Sequence, residues 1–306
     1  MDELFLHHFD LSPFAEKARL MLGLKRLAWR SVQIPIIMPK PDLTVLTGGY
    51  RKTPVLQIGA DVYCDTRLIA VELERRFPIP TLFPGGASGL VRALAMWSDR
   101  TFFEPGAGLS MGTNRQGLPR AVIEDRKAFF NFMDFDRLEA DLGHLATQLR
   151  AQASLVDEQL ADGRAFLLGD APSLADVHAY FPLWMTRANV AAAATLLGPF
   201  PHLESWEARV RAIGHGMRRE AGAAEAHAVA RAATPAPPRG VDPSDPLGLA
   251  AGARVVVTPD DYGRVPVEGE LVTLDIDEVA VQRAEPRVGT VVVHFPRAGY
   301  RVERAA

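Results

Sequence analysis

The hydrophobic period of this chain changes twice along its length, and the stretches so marked cannot share one simple architecture. From Leu4 to Phe77 short apolar runs alternate with helical patterns, from about Ser88 to Ala233 only helical spacing is left, and from Arg254 onward β-branched runs take over. Thr234-Pro235-Ala236-Pro237-Pro238-Arg239-Gly240, followed by Pro243 and Pro246, separates the last two stretches. That composition cannot continue a helix and reads as a semi-rigid linker. The expected fold is multidomain: an α/β domain over residues 1–80, an all-helical domain over 88–233, and a small all-β, barrel-like domain over 246–306. A chain of 306 residues has room for two or three such domains.

Within the first stretch, Leu4-Phe5-Leu6-His7-His8-Phe9 predicts a strand. Ser12-Pro13 predicts the start of a helix, a capping hydroxyl followed by proline at the first helical position. Phe14, Ala18, Met21 and Leu22 then recur on one face. A second strand is expected over residues 28–34, after which Pro35, Pro39 and Pro41 keep the chain irregular. Val55-Leu56-Gln57-Ile58 and Asp61-Val62-Tyr63-Cys64 flank Gly59-Ala60 as a hairpin. A helix after Asp65-Thr66 carries Ile69, Leu73 and Phe77 until Pro78 stops it. Further on, Leu138, Leu142, Leu145 and Leu149 mark the clearest helix, which ends by Gly163, and Ser173 to Asp176 has the spacing of a capping box. Residues 254–257, 271–274, 279–281 and 291–295 read as strands of a compact antiparallel sheet or barrel.

Charge and cysteine content narrow the chemistry. The formal net charge is −3, and residues 246–306 hold nine acidic against seven basic side chains, so neither the whole nor the β-module suits a phosphate backbone or an anionic membrane. No run approaches the roughly 18 apolar residues of a spanning helix, and the first residues lack the pattern of a signal peptide; a cytoplasmic protein is expected. The single cysteine, Cys64, excludes an internal disulfide, a C-x-x-C redox pair and a multi-cysteine metal site, and no metal is expected. Cys64 itself lies in an apolar alternation and reads as a buried strand residue.

The order βαβ then ββα ahead of a helical stretch, with Ser12-Pro13-Phe14-Ala15-Glu16-Lys17-Ala18-Arg19, Thr53-Pro54-Val55-Leu56 and Asp65-Thr66, resembles the glutathione transferase superfamily over about residues 1–233. The resemblance implies a thioredoxin-like first domain, glutathione as co-substrate, an electrophilic small molecule as second substrate, and a homodimer. It assigns Ser12 as the hydroxyl that donates to the glutathione sulfur. It makes Pro54 cis, so that the backbone of Thr53 pairs with the cysteinyl part. Asp65 and Thr66 would hold the γ-glutamyl end, the carboxylate taking the ammonium and the hydroxyl with the helix-end amides taking the carboxylate. Arg51, Lys52 or Lys40 would reach the glycyl carboxylate.

Read without the resemblance, Ser12, Asp65 and Thr66 are helix caps, and the basic residues are solvated. Two stretches depart from the family pattern near the glycyl end: the proline-rich residues 35–41, and Gly48-Gly49-Tyr50-Arg51-Lys52. His7 and His8 are candidates to contact a second substrate at the strand end and make no metal site without further ligands, and Met96, Trp97, Phe102, Phe103 and Met111 are either core or the wall of an electrophile pocket. Asp260-Asp261-Tyr262 and His294-Phe295-Pro296-Arg297 are candidates for a binding edge on the terminal β-module. That module lies outside the resemblance and is expected to fold autonomously. The leading function is a glutathione transferase. The alternative is a catalytically weak glutathione-fold protein whose β-module binds another protein. A glutathione-dependent disulfide reductase is disfavoured, because Ser12 stands where such relatives present a cysteine.

Overall fold

The first strand, β1 (Leu4–His8), is buried along its whole length, its two histidines included, as in a strand covered on both faces. The computed structural model describes residues 3–305. After β1 come α1 (Pro13–Leu24), β2 (Ala28–Gln33), α2 (Pro41–Thr47), β3 (Val55–Ile58), β4 (Asp61–Cys64) and α3 (Thr66–Arg76). β2 runs parallel to β1, while β3 is antiparallel to β1 and to β4, giving the thioredoxin-like order β2-β1-β3-β4. Helix α2 was not foreseen. Pro41 occupies its first turn, where a missing N–H costs nothing, and Gly48 ends it in the left-handed region at φ 74. Seven residues are too few for a periodic signal to emerge from a proline-rich stretch.

The described chain forms two compact units. One comprises the chain up to Ala15, Ala28–Glu72 and everything from Met217 on; the other comprises Glu16–Leu27 and Leu73–Gly216. The second is helical: α4 (Ser88–Trp97) and α5 (Phe103–Asn114), joined by a π-helical turn, then α6 (Arg120–Phe129), α7 (Leu138–Gln159), α8 (Leu174–Asn189), α9 (Ala193–Leu197) and α10 (Leu203–Arg211). The N–H and the hydroxyl of Ser173 both donate to Asp176 Oδ2, at 2.9 and 2.8 Å, forming the expected capping box of α8. Asp176 Oδ1 accepts from the N–H of Leu167 and from Trp206 Nε1. Four donors thus oppose the desolvation of one buried carboxylate, although burial still raises its pKa. In the same unit Lys17, wholly buried, meets Asp99 Oδ1 at 2.5 Å and lies 4.9 Å from the centre of the Phe181 ring. Among the described residues no helix is long and apolar enough to cross a membrane.

The helical pattern read as continuing to Ala233 stops earlier. Gly214 and Gly216, both at positive φ, turn the chain into β5 (Met217–Ala221), which pairs in parallel with β2, and α11 (Ala223–Ala232) follows. β5 carries Met-Arg-Arg-Glu-Ala and no β-branched residue, so nothing in its composition separates it from a helix. The remaining strands are β6 (Gly240–Val241), β7 (Arg254–Pro259), β8 (Val267–Leu274), β9 (Glu278–Glu285), β10 (Gly289–Pro296) and β11 (Tyr300–Arg304). Their order β11-β7-β8-β9-β10 is antiparallel throughout.

This sheet does not stand apart. β10 pairs in parallel with β4, from Val292 opposite Asp61 to His294 opposite Tyr63, and one eleven-stranded sheet results. Leu43, Tyr50, Val55, Val62 and Cys64 share a single buried cluster with Val255, Leu271, Val281, Val293 and Phe295. The β-module and the α/β strands thus share one core where separate cores were expected. Nor is the proline-rich stretch a free spacer. The N–H of Ala236 donates to Asp61 Oδ2 at 2.9 Å, that of Arg239 to Thr273 Oγ1 at 3.2 Å, and Gly240 and Val241 pair with β8. β-branched runs show where strands lie but not which edge they join.

The β4–β10 seam holds a buried ionic cluster. His294 Nδ1 is 2.6 Å from Glu278 Oε1 and Nε2 is 3.0 Å from Asp61 Oδ1, with the ring stacked on Tyr63 at 4.5 Å. Burial opposes the charged imidazole, but the hydrogen bonds and charges of Asp61 and Glu278 outweigh it and raise its pKa. A histidine raised in the folded state stabilises fully below its ordinary value of 6.5, and that contribution is lost as pH climbs through the raised value. The thermal midpoint is expected to fall as pH rises above the ordinary histidine value of 6.5, by a component that His294→Gln removes. Equal pH slopes for both proteins in thermal melts would refute this.

Candidate active site

Strand register gathers the motif residues at one end of the sheet. His7 on β1 lies opposite Val55 on β3, and Val55 lies opposite Cys64 on β4. The end of β1, the start of β3 and the end of β4 are thus neighbours, spaced by roughly 4.8 Å per strand. The loop to Ser12, the Thr53–Pro54 bond and Asp65-Thr66 leave from those three points. Thr53–Pro54 is cis.

Ser12 is buried, and its Oγ accepts the N–H of Ala15 at 3.2 Å, which caps the first turn of α1. A hydroxyl that accepts a bond still has its hydrogen to donate. Asp65 sits at φ 76, and its carboxylate accepts from the N–H of Arg67 at 2.9 Å, Arg67 Nε at 3.1 Å, Arg67 Nη2 at 2.7 Å and the Tyr300 hydroxyl at 3.2 Å. Burial pushes its pKa up, but the charge and hydrogen bonds of Arg67, with the charge of Lys52, hold it well below the usual carboxylate range. Thr66 opens α3 and is buried, with no hydrogen-bond partner for its Oγ1 among the described residues.

The basic candidates separate. Lys40 is buried, with Nζ 3.1 Å from Thr53 Oγ1 and 3.2 Å from the carbonyl of Arg51. Lys52 instead pairs with Asp261 and lies 4.4 Å from the centre of the Tyr262 ring. Burial lowers the pKa of Lys52, against the pull of Asp261. The polar groups read as a possible edge of the β-module thus turn onto the module's own unit: Asp261 and Tyr262 onto Lys52, and His294 onto Asp61.

Most of the other candidates are buried in the core. His7 and His8 are buried, bonded to Gln57 at 2.9 Å and Ser31 at 3.0 Å, and burial pushes the pKa of His7 down to about 4. Phe102 and Phe103 belong to the helical core. That unit has a cavity of about 380 Å³ lined by Glu104, Phe132, Met133, Asp141 and His144 among others, and none of the five proposed pocket residues lines it. Cys64 is buried, which pushes its thiol pKa well up. Among the described residues no cluster of three or more His, Cys, Asp or Glu side chains could hold a metal ion. Sequence reasoning missed Arg67, Tyr300 and Asp261 as partners of the motif; the one available signal was the position of Arg67 directly after it.

Residues 6–81 match the family described as glutathione S-transferase, N-terminal domain, and residues 121–213 match glutathione S-transferase, C-terminal domain. A GST-like protein from Pseudomonas syringae is 40% identical over 100% of both chains, with a TM-score of 0.83, so the likeness includes the β-module. FzlA from C. crescentus is 25% identical over 68% of this chain and 88% of its own, with a TM-score of 0.52. A glutathione S-transferase from Rhodospirillum rubrum F11, 22% identical over 68% of this chain and 87% of its own, shares the fold at a TM-score of 0.53. No curated protein matches the chain.

Proposed function

The chain belongs to the glutathione S-transferase family, and from that premise we propose that it binds reduced glutathione and activates its thiol for attack on an electrophilic small molecule. In this reading the Ser12 hydroxyl and the first-turn amides of α1 lower the thiol pKa. The backbone of Thr53, set by cis-Pro54, pairs with the cysteinyl part, and Lys40, beside Thr53, or Arg51 meets the glycyl carboxylate. Lys52 reaches that carboxylate only by exchanging Asp261 for it. Asp65 supplies negative charge near the ammonium, while Thr66 and the amides opening α3 take the γ-glutamyl carboxylate. A homodimer and a cytoplasmic location complete the proposal; a monomer mass in light scattering would remove the dimer.

The observation that carries the reading is the buried Thr66 hydroxyl without a protein partner, at a helix N-terminus that itself favours an anion. A buried polar group left unsatisfied costs about 1–3 kcal/mol. Thr66→Val keeps the volume and removes that group, so the free protein is expected to become more stable. Its glutathione dissociation constant is expected to rise roughly tenfold, the loss of about 1.4 kcal/mol. Calorimetric titration and thermal melts read the two effects, which have opposite signs. Unchanged affinity in Thr66→Val would reject the γ-glutamyl assignment, and a wild-type chain that binds no glutathione would reject the function.

A further inference from the structure

The parallel pairing of β10 with β4 carries the end of β10 to the same end of the sheet as Asp65, and after the turn 297–299 Tyr300 opens β11 beside it. The Tyr300 hydroxyl donates to Asp65 Oδ2 at 3.2 Å and therefore accepts from the Tyr50 hydroxyl, also at 3.2 Å. Phe295 packs between the two tyrosines, its ring centre 5.7 Å from that of Tyr50 and 5.3 Å from that of Tyr300. The turn closes tightly on the motif: a Cβ on Gly299 would lie 2.9 Å from Arg67 Nη2.

Asp65 is a non-glycine residue in the left-handed region, a conformation that persists only where its surroundings hold it. Three of the four bonds on its carboxylate come from Arg67, two residues along the same turn, and would move with it. The fourth, from Tyr300, comes from 235 residues away. We propose that Tyr300 is a positioning residue of the glutathione site: it ties the Asp65 carboxylate to the C-terminal strands and so fixes the turn that presents Thr66 and the first amides of α3. The proposal rests on the glutathione reading above. It makes the β-module part of the binding site.

The test is Tyr300→Phe in the full chain, alone and in an Asp65→Asn background, read by calorimetry with reduced glutathione and by the thiolate absorbance of the bound tripeptide. Tyr300→Phe is expected to raise the dissociation constant about ten- to a hundredfold, as loss of one hydrogen bond to a charged group does. The thiolate fraction at saturation stays the same, because Ser12 is untouched, and the substitution adds nothing once Asp65 is Asn. Unchanged affinity, or an equal loss in both backgrounds, overturns the positioning role while leaving the glutathione reading intact. A wild-type chain that binds no glutathione overturns both. If Tyr300→Phe does not fold, Tyr50→Phe removes only the bond that orients the Tyr300 hydroxyl. It is then expected to give a smaller rise of the same sign, and no rise overturns the proposal.

Discussion

Truncation after Asp245 is expected to leave an α/β unit that aggregates and binds no glutathione. The deletion strips β10 from β4 and turns a paired strand into an open edge, which invites pairing with other chains. It uncovers Leu43, Leu46, Tyr50, Val55 and Val62, which share one cluster with the strands removed. It also leaves polar groups without their partners: Asp61 loses His294, Lys52 loses Asp261, and Asp65 loses Tyr300. Breaking a buried ion pair by removing one member costs about 3–5 kcal/mol, a large part of the stability of an ordinary domain. Gel filtration and thermal unfolding of the truncated chain read the outcome. A monodisperse truncated protein with the wild-type glutathione affinity would show that the β-module is dispensable.

Ser12→Ala is expected to lower the conjugation rate about a hundredfold, the scale on which a single donor to a developing or resident anion matters. Glutathione affinity should change little, because in the proposed site the hydroxyl would meet only the sulfur of the tripeptide, whose ends would be held elsewhere. The substitution also removes the acceptor for the N–H of Ala15, which costs about 0.5–2 kcal/mol as the loss of a helix cap. The two roles are separable by measurement. A cap alone predicts a lower melting temperature with the thiolate absorbance and rate retained, and that result would end the catalytic assignment of Ser12.

Much of the architecture was legible because its signals are local. The strand–cap–proline start of α1, the Gly59-Ala60 hairpin and the Ser173–Asp176 capping box each depend on residues within four or five positions of one another. The contiguous motifs Thr53-Pro54 and Asp65-Thr66 were readable for the same reason. α2 was hidden by its brevity and its prolines, and β5 by a composition without β-branched residues. That His7 and His8 bond within the core was not legible, since a strand that is buried on both faces shows no alternation to say which side chains face a ligand.

The sequence by itself determined where the chain changes period, which segments form the thioredoxin-like strands and the helical stretch, and which short motifs resemble those of the glutathione transferase family. Those properties follow from backbone dihedrals, caps and hydrophobic spacing, whose range is a few residues. Only the tertiary structure decided that β10 joins β4, and with that pairing came the shared core, the His294 cluster and the contact of Tyr300 with Asp65. Strand edges are interchangeable as far as backbone hydrogen bonds go. The choice of edge is made by side chains brought together across more than two hundred residues, and no local pattern carries that information.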